Sequence, residues 1–388
     1  MAATIRLKEM PLVLVTNFLS GTNTYMRGKP AIGKSKSIEE FVAEMQKRIP
    51  GFTVHRFYAP TMSPMDITAT APLEGTTKLK QYANEALPNV YSTYERTLPD
   101  GRTETYNGAD MKGAVFFGEL PNADPATVRL LQKYINGEDM SGALRKPDGV
   151  VVIADGNRLE DKSGVQQQGR AFLSRFEQIE VFTDVDDNIA YAAKNSWHPN
   201  VQTFFKDNPA LIDNYDEVFE MASAALQRGQ SRSNGNNEQT EEGKLGIWCN
   251  MRAWERISNK EYAGDQMNRK ITQSEIAGNV GTAAAAQYEA HRRIINSLVS
   301  FDQIISDPTN VQIPSKMDEQ YMLSMIVAMR AKADQMPQVR QFGERLVLEM
   351  QALILRNMSA RKGFNLSATP DYLHWIKNKE LTALLNGR

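Results

Sequence analysis

Gly28-Lys29-Pro30-Ala31-Ile32-Gly33-Lys34-Ser35 reads G-x-x-x-x-G-K-S, the pattern of a loop that wraps a polyphosphate. The residue types supply the chemistry. Two glycines let the backbone bend tightly and turn its N–H groups toward phosphate oxygens without interference from a Cβ. The Lys34 ammonium would reach the β- and γ-phosphates of a nucleotide, and the Ser35 hydroxyl would hold Mg²⁺. Lys29, Pro30, Ala31 and Ile32 between the glycines, and Lys36 just beyond, complete the expected nucleotide-binding stretch. Ile38, Phe41, Val42 and Met45 then recur at helical spacing. A helix starting at the loop aims its positive dipole end at the phosphates.

Outward from the loop, the chain alternates strands and helices. Thr24-Tyr25-Met26 is the short strand that should feed the loop, and Thr53-Val54-His55-Arg56-Phe57-Tyr58 has the β-branched and aromatic content of a second. The apolar run Pro11-Leu12-Val13-Leu14-Val15 suits a strand or a lead-in helix equally. In Pro60 to Ile67, Asp66 is placed to cap a helix. Residues 70–107 are polar and punctuated by prolines and glycines, with a turn at Pro99-Asp100-Gly101-Arg102, and read as an insertion carrying a hairpin. Gly113-Ala114-Val115-Phe116-Phe117 and Val150-Val151-Val152-Ile153-Ala154 are continuous apolar runs, expected of strands buried on both faces of a parallel sheet. Between them, Asp124 and Pro125 open a helix that runs through Ile135. Gln178 to Phe182 is the last strand. The pattern predicts an α/β domain with an open parallel sheet over 1–186.

Beyond Asp186 the texture becomes helical, over 187–310 and then 311–388. Helical tracts are expected at about 272–300, 318–333 and 336–360, and the polar stretch 229–243 reads as a mobile loop. The 388 residues carry a net charge of -1, so no global field favours nucleic acid or an anionic membrane. Cys249 is the only cysteine, and the four histidines lack metal-ligand spacing, which excludes an intrachain disulfide and a cysteine-rich zinc site. No stretch has the length of a membrane span and the N-terminus lacks a signal layout, so the expected location is cytoplasmic.

Binding a nucleotide needs the loop alone; hydrolysis also needs a group to orient water, a sensor of the γ-phosphate and a cation for the transition state. Glu119, at the end of a buried strand, is placed as the water-activating carboxylate. Asn157, at the end of the next strand, is placed to contact that water and the γ-phosphate. Arg175, just before the last strand, is the candidate arginine finger, with Arg170 as the second candidate.

On these stretches, together with Phe172-Leu173-Ser174-Arg175-Phe176, His198-Pro199 and Asn250-Met251-Arg252-Ala253-Trp254-Glu255, the chain resembles AAA+ ATPases of the MoxR type over roughly residues 20 to 310. The resemblance implies a P-loop sheet domain, a helical lid over 187–310, Arg252 as the lid's sensor arginine, and an insertion at 70–107 that faces the pore of a hexameric ring. It also implies a chaperone-like role on a protein complex, with a protein substrate or adaptor that can be a von Willebrand A domain protein. One position departs from the family: its strand ends in Asp-Glu, and this one ends in Gly118-Glu119. Asp155, beside Asn157, is placed to supply the missing charge near Mg²⁺, and either it or Glu119 is expected to reach the ion through a bound water, with Ser35 the direct ligand. The departure also keeps a second function open, a nucleotide-gated assembly or scaffold protein with weak or no turnover. A nucleic-acid motor is disfavoured by the neutral charge and by the lack of a basic, aromatic-interleaved tract.

Overall fold

The computed structural model describes residues 3–75, 78–97, 101–158, 161, 169–220, 247–361, 365–366 and 369–386. The chain divides into two compact units, Met1–Thr183 and Asp184–Arg388. In the first, the order is β1 (Ala3–Arg6), α1 (Met10–Ser20), β2 (Thr24–Arg27), α2 (Lys34–Arg48), β3 (Thr53–Tyr58), β4 (Thr68–Pro72), β5 (Leu79–Ala83), β6 (Thr93–Thr97), β7 (Thr103–Asn107), β8 (Gly113–Gly118), α3 (Pro125–Ile135), β9 (Val150–Gly156), α4 (Arg170–Leu173) and β10 (Glu177–Phe182).

Six strands form one sheet in the order β1-β10-β2-β9-β8-β3, and each neighbouring pair is parallel. Parallel neighbours need crossover connections; between β3 and β8 the insertion with β4 to β7 makes it, and α1, α2 and α3 lie in the connections after β1, β2 and β8. Side chains alternate between the faces of the sheet. Ala114, Phe116, Val151 and Ile153 join Met26 and the α2 residues Ile38, Phe41 and Met45 in one core. Val115, Phe117, Val152 and Ala154 join Tyr25 and the α3 residues Leu131 and Tyr134 in the other. Both faces of β8 and β9 are therefore covered, which is why their sequences are continuous apolar runs. The expected α/β class with a parallel sheet holds.

Local expectations fare unevenly. Asp124 caps α3 as predicted, its Oδ1 accepting from the Ala126 N–H at 2.7 Å with Pro125 in the first turn. The run Pro11 to Val15 belongs to α1, and the four-residue edge strand β1 beside β10 went unmarked. The insertion holds two antiparallel hairpins, β4–β5 and β6–β7, where one was expected. Asp66 caps no helix. Ser63 is the N-cap of a single 3-10 turn, Pro64–Asp66, and Asp66 answers it from the third position, accepting from the Ser63 N–H at 2.7 Å.

The second unit is helical, as expected of the chain beyond the sheet. Its described helices include Val185–Lys194, Pro199–Asp207, Met251–Gln266, Met317–Arg330 and Leu348–Ala360. The tract 272–300 is two helices, Gln273–Val280 and Thr282–Ser297, because Gly281 at φ +89° leaves the helical region. The tract 336–360 is likewise two, Met336–Gly343 and Leu348–Ala360. One core gathers around Phe204, Trp254 and Tyr288, and another around Leu323, Phe342 and Leu355. Both 187–310 and 311–388 fall within this unit, while the expected loop 229–243 lies outside the described residues. Among the described residues no helix is long and apolar enough to cross a membrane, and no histidine, cysteine and carboxylate cluster could hold a metal ion.

Candidate active site

The loop joins the end of β2 at Arg27 to the start of α2 at Lys34. Gly33 is the N-cap of α2 at φ +103°, and a Cβ on Gly28 would stand 2.6 Å from the Val181 carbonyl oxygen and 2.8 Å from Ile32 Cδ1. The loop thus sits against the end of β10 more closely than a side chain at position 28 allows. Lys34 is 8 % exposed, and its Nζ donates to the carbonyls of Gly28 and Lys29, both at 2.8 Å. The ammonium also donates to Asn157 Oδ1 at 3.2 Å. Ser35 and Lys36, in the first turn of α2, are exposed. The N–H groups of a helix's first turn have no intrahelical partner, so this end of α2 offers donors and a positive dipole to an anion.

Strand register brings the other residues to the same edge. Met26 pairs with Asp155 and Phe117 with Ala154, so the C-terminal ends of β2, β9 and β8 lie level with one another. Ligands of open parallel sheets bind at such carboxyl ends, where successive connections diverge. Asp155 shares a face with Val151 and Ile153, the face that α2 covers, and is 5 % exposed. Glu119 follows β8 in a left-handed conformation, φ 52° and ψ 40°. Its N–H donates to Asp155 Oδ1 at 2.8 Å. Its carboxylate Oε2 accepts from the Tyr58 hydroxyl at 3.0 Å and from Asn122 Nδ2 at 3.3 Å. After Asn157, the Arg158 guanidinium and Asp161 carboxylate pair at 2.8 Å, and Asp161 also accepts the Arg158 N–H at 2.9 Å.

The charges are interdependent. Burial pushes the Lys34 ammonium below the usual lysine range, while Asp155, Asp161 and Glu119 pull it back up. Burial pushes the Asp155 carboxyl up, against the Glu119 N–H and the Lys34 charge. The hydrogen bond to Glu119 raises the exposed Tyr58 hydroxyl. The buried Lys34 ammonium thus sits among carboxylates, beside a donor-rich helix start. The arrangement can bind a polyphosphate and present a carboxylate to its terminal phosphorus.

Lys34, Asn157, Asp155 and Glu119 are therefore brought together beside the loop and Ser35, and the three expected arginines are elsewhere. Arg175 precedes β10, whose first residue Glu177 pairs with Thr24, the first residue of β2. That is the sheet edge opposite the loop. There the Arg175 Nε donates to Asn136 Oδ1 at 2.5 Å, and its guanidinium also donates to the Ala171 carbonyl. Arg170 is the exposed first residue of α4. Arg252 is exposed in the first turn of the helix Met251–Gln266, in the second unit. Tyr58 and Asn122, which touch Glu119, were missed. The signal for Tyr58 was indirect: it is the last residue of β3 and pairs across the sheet with Gly118.

No protein-family model matches this sequence, and no curated protein matches it. Among solved structures, the chain is similar to an ATPase candidate from Cytophaga hutchinsonii, with 13 % identity over 92 % of this chain and 83 % of that one at a TM-score of 0.32. A point mutant of RuvB from Thermotoga maritima shares 14 % identity over 78 % of this chain and 74 % of that one, TM-score 0.35. NtrX from Brucella abortus, solved in complex with ATP, shares 13 % over 97 % of this chain and 68 % of that one, TM-score 0.34. Likenesses this slight carry no assignment of function.

Proposed function

We propose that this chain is an AAA+ ATPase: it binds ATP at Gly28 to Ser35, hydrolyses it at Glu119, and works as a ring of identical subunits that remodels a protein complex. The observation that carries the reading is the convergence of the Lys34 ammonium, the Asn157 amide and the Glu119 carboxylate on one strand edge, with Asp155 joining Lys34 to Glu119. Lys34 contacts the β- and γ-phosphates, and the loop N–H groups hold the remaining oxygens. Glu119 orients a water and takes its proton as the water oxygen bonds to the γ-phosphorus. The bond from that phosphorus to the β,γ-bridging oxygen breaks, and its electron pair leaves with ADP. Phosphate is the second product, and Glu119 returns the proton to solvent. Asn157 senses the γ-phosphate, and Lys34 leaves its amide oxygen as the phosphate arrives.

The donor set fits Mg²⁺, which keeps several waters and takes few protein oxygens besides phosphate. The exposed Ser35 hydroxyl is the one offered from the first turn of α2. When bound, the ion would neutralise charge on the β- and γ-oxygens. Arg175, across the sheet from its own loop, serves a neighbouring subunit, which motivates the ring. Arg252 serves as the lid's sensor arginine. The MoxR type, the hexamer, the chaperone-like role and a von Willebrand A domain partner rest on the sequence stretches quoted above.

Gly118 favours a second reading, a nucleotide-gated scaffold with little turnover. Steady-state hydrolysis of ATP with Mg²⁺, with particle size followed in parallel and Lys34→Ala as the control, separates the two. Turnover that Lys34→Ala abolishes supports the ATPase; ATP-dependent assembly without turnover supports the scaffold. Tyr58→Phe is expected to raise turnover by about 3- to 10-fold, the value of one hydrogen bond, because it removes one of the two donors on Glu119 Oε2, leaving Asn122 Nδ2, and makes the carboxylate a stronger base toward water. A fall in its kcat would show instead that the hydroxyl positions the carboxylate.

A further inference from the structure

We propose that Asp155 is the positioning residue of the site, holding the Glu119 peptide in its left-handed conformation through the hydrogen bond from the Glu119 N–H. The inference rests on the ATPase reading above and adds to it how the reactive carboxylate is aimed.

Glu119 has φ 52° and ψ 40°, a region that costs a residue with a Cβ free energy and persists only where the surroundings over-determine it. Gly118 brings no side chain to help. A Cβ there would meet Phe116 Cε1 at 3.5 Å and the Phe57 carbonyl oxygen at 3.7 Å, ordinary contacts, so sterics do not demand the glycine. Two bonds fix the Glu119 backbone. Its carbonyl accepts from the Asn122 N–H at 3.0 Å, which belongs to the local 3-10 turn. Its N–H donates at 2.8 Å to Asp155 Oδ1, which arrives from a different strand.

Asp155 itself is out of place by packing rules. The other side chains of β9 on its face, Val151 and Ile153, lie in the apolar core. Burying a carboxylate there is costly, and among the described residues the Glu119 N–H is its one hydrogen bond. The nearby Lys34 ammonium offsets its charge. The same carboxylate therefore answers to the phosphate-binding lysine on one side and to the Glu119 peptide on the other. With the peptide held, the Glu119 side chain points to Tyr58 and Asn122. Released, the peptide relaxes toward the extended region and carries the carboxylate away from the loop.

Asp155→Ala and Asp155→Asn separate this role from a role of charge, because asparagine keeps a carbonyl oxygen for the N–H and loses the charge. Asp155→Ala is expected to lower kcat roughly 10- to 100-fold and to leave the ATP half-saturation within about 3-fold. Asp155→Asn is expected to keep at least about a third of the wild-type kcat. Amide exchange provides a readout independent of turnover: the Glu119 N–H is protected in the wild type and in Asp155→Asn, and exposed in Asp155→Ala. If Asp155→Ala does not fold, Asp155→Ser, too short to reach the N–H, takes its place.

Asp155→Asn as impaired as Asp155→Ala, with a raised Mg²⁺ requirement in both, overturns the proposal in favour of charge. Unchanged protection of the Glu119 amide in Asp155→Ala overturns it too. If the wild type shows no turnover, the ATPase reading fails, and the exchange pattern alone decides whether Asp155 holds the peptide.

Discussion

Glu119→Gln is expected to slow ATP hydrolysis by roughly 10²- to 10⁴-fold, the usual contribution of a positioned general base, while ATP binding is retained. The geometry makes this substitution a clean one. Glutamine has the length of glutamate, and its Oε1 can still accept from the Tyr58 hydroxyl, which stands 3.0 Å from Oε2. The bond to Asp155 comes from the backbone N–H and survives the change. Lys34 keeps its position under the loop, because its hydrogen-bond partners are Gly28, Lys29 and Asn157. What is lost is the capacity to take a proton from water. Single-turnover hydrolysis and equilibrium ATP binding, measured on the same preparations, check the result. Equal turnover in the two proteins would remove Glu119 from the reaction. Loss of binding would mean that the carboxylate supports the loop instead.

The sheet was legible because burial on both faces leaves a distinct mark. Phe116 and Phe117 point to opposite cores, as do Ile153 and Ala154, so no polar residue interrupts the runs 113–117 and 150–154. The loop was legible for a different reason: its glycines and its lysine are demanded by geometry and charge at fixed spacing. What the sequence hid is whatever depends on register. Tyr58 reaches Glu119 because β3 and β8 are paired in parallel, and nothing local to Tyr58 announces this. Asp155 could be placed beside Asn157 from its position, and a link to Mg²⁺ was the natural expectation. Its hydrogen bond to the Glu119 peptide follows only once alternation puts it on the face under α2 and Glu119 turns left-handed. In the helical unit, apolar stripes run on past the breaks at Gly281 and after Gly343, so periodicity joined helices that the backbone separates.

Arg175→Ala is expected to reduce turnover by about 10³- to 10⁵-fold, the range of an arginine finger, without altering ATP binding to the subunit that carries it. Arg175 sits at the edge where β10 and β2 begin, and the loop sits where β2 ends. Its own subunit therefore gains nothing from it at the γ-phosphate. Its contacts at that edge, Asn136 and the Ala171 carbonyl, are neutral, and among the described residues no carboxylate pairs with it. A guanidinium held only by neutral acceptors is free in charge terms to answer an anionic transition state presented by a neighbour. Head-to-tail rings juxtapose unlike faces of adjacent copies, which is the geometry this needs. The decisive test mixes two inactive proteins, Arg175→Ala and Glu119→Gln. Where an Arg175→Ala subunit supplies the loop and Glu119, and a Glu119→Gln neighbour supplies Arg175, the site is complete. Random mixing in equal amounts makes about one quarter of interfaces complete, so activity returns in proportion to them. Recovery with Arg170→Ala but not with Arg175→Ala would move the finger to Arg170. No recovery in either mixture, with rings confirmed by particle size, would mean that the cation comes from within the subunit, with Arg252 the next residue to substitute.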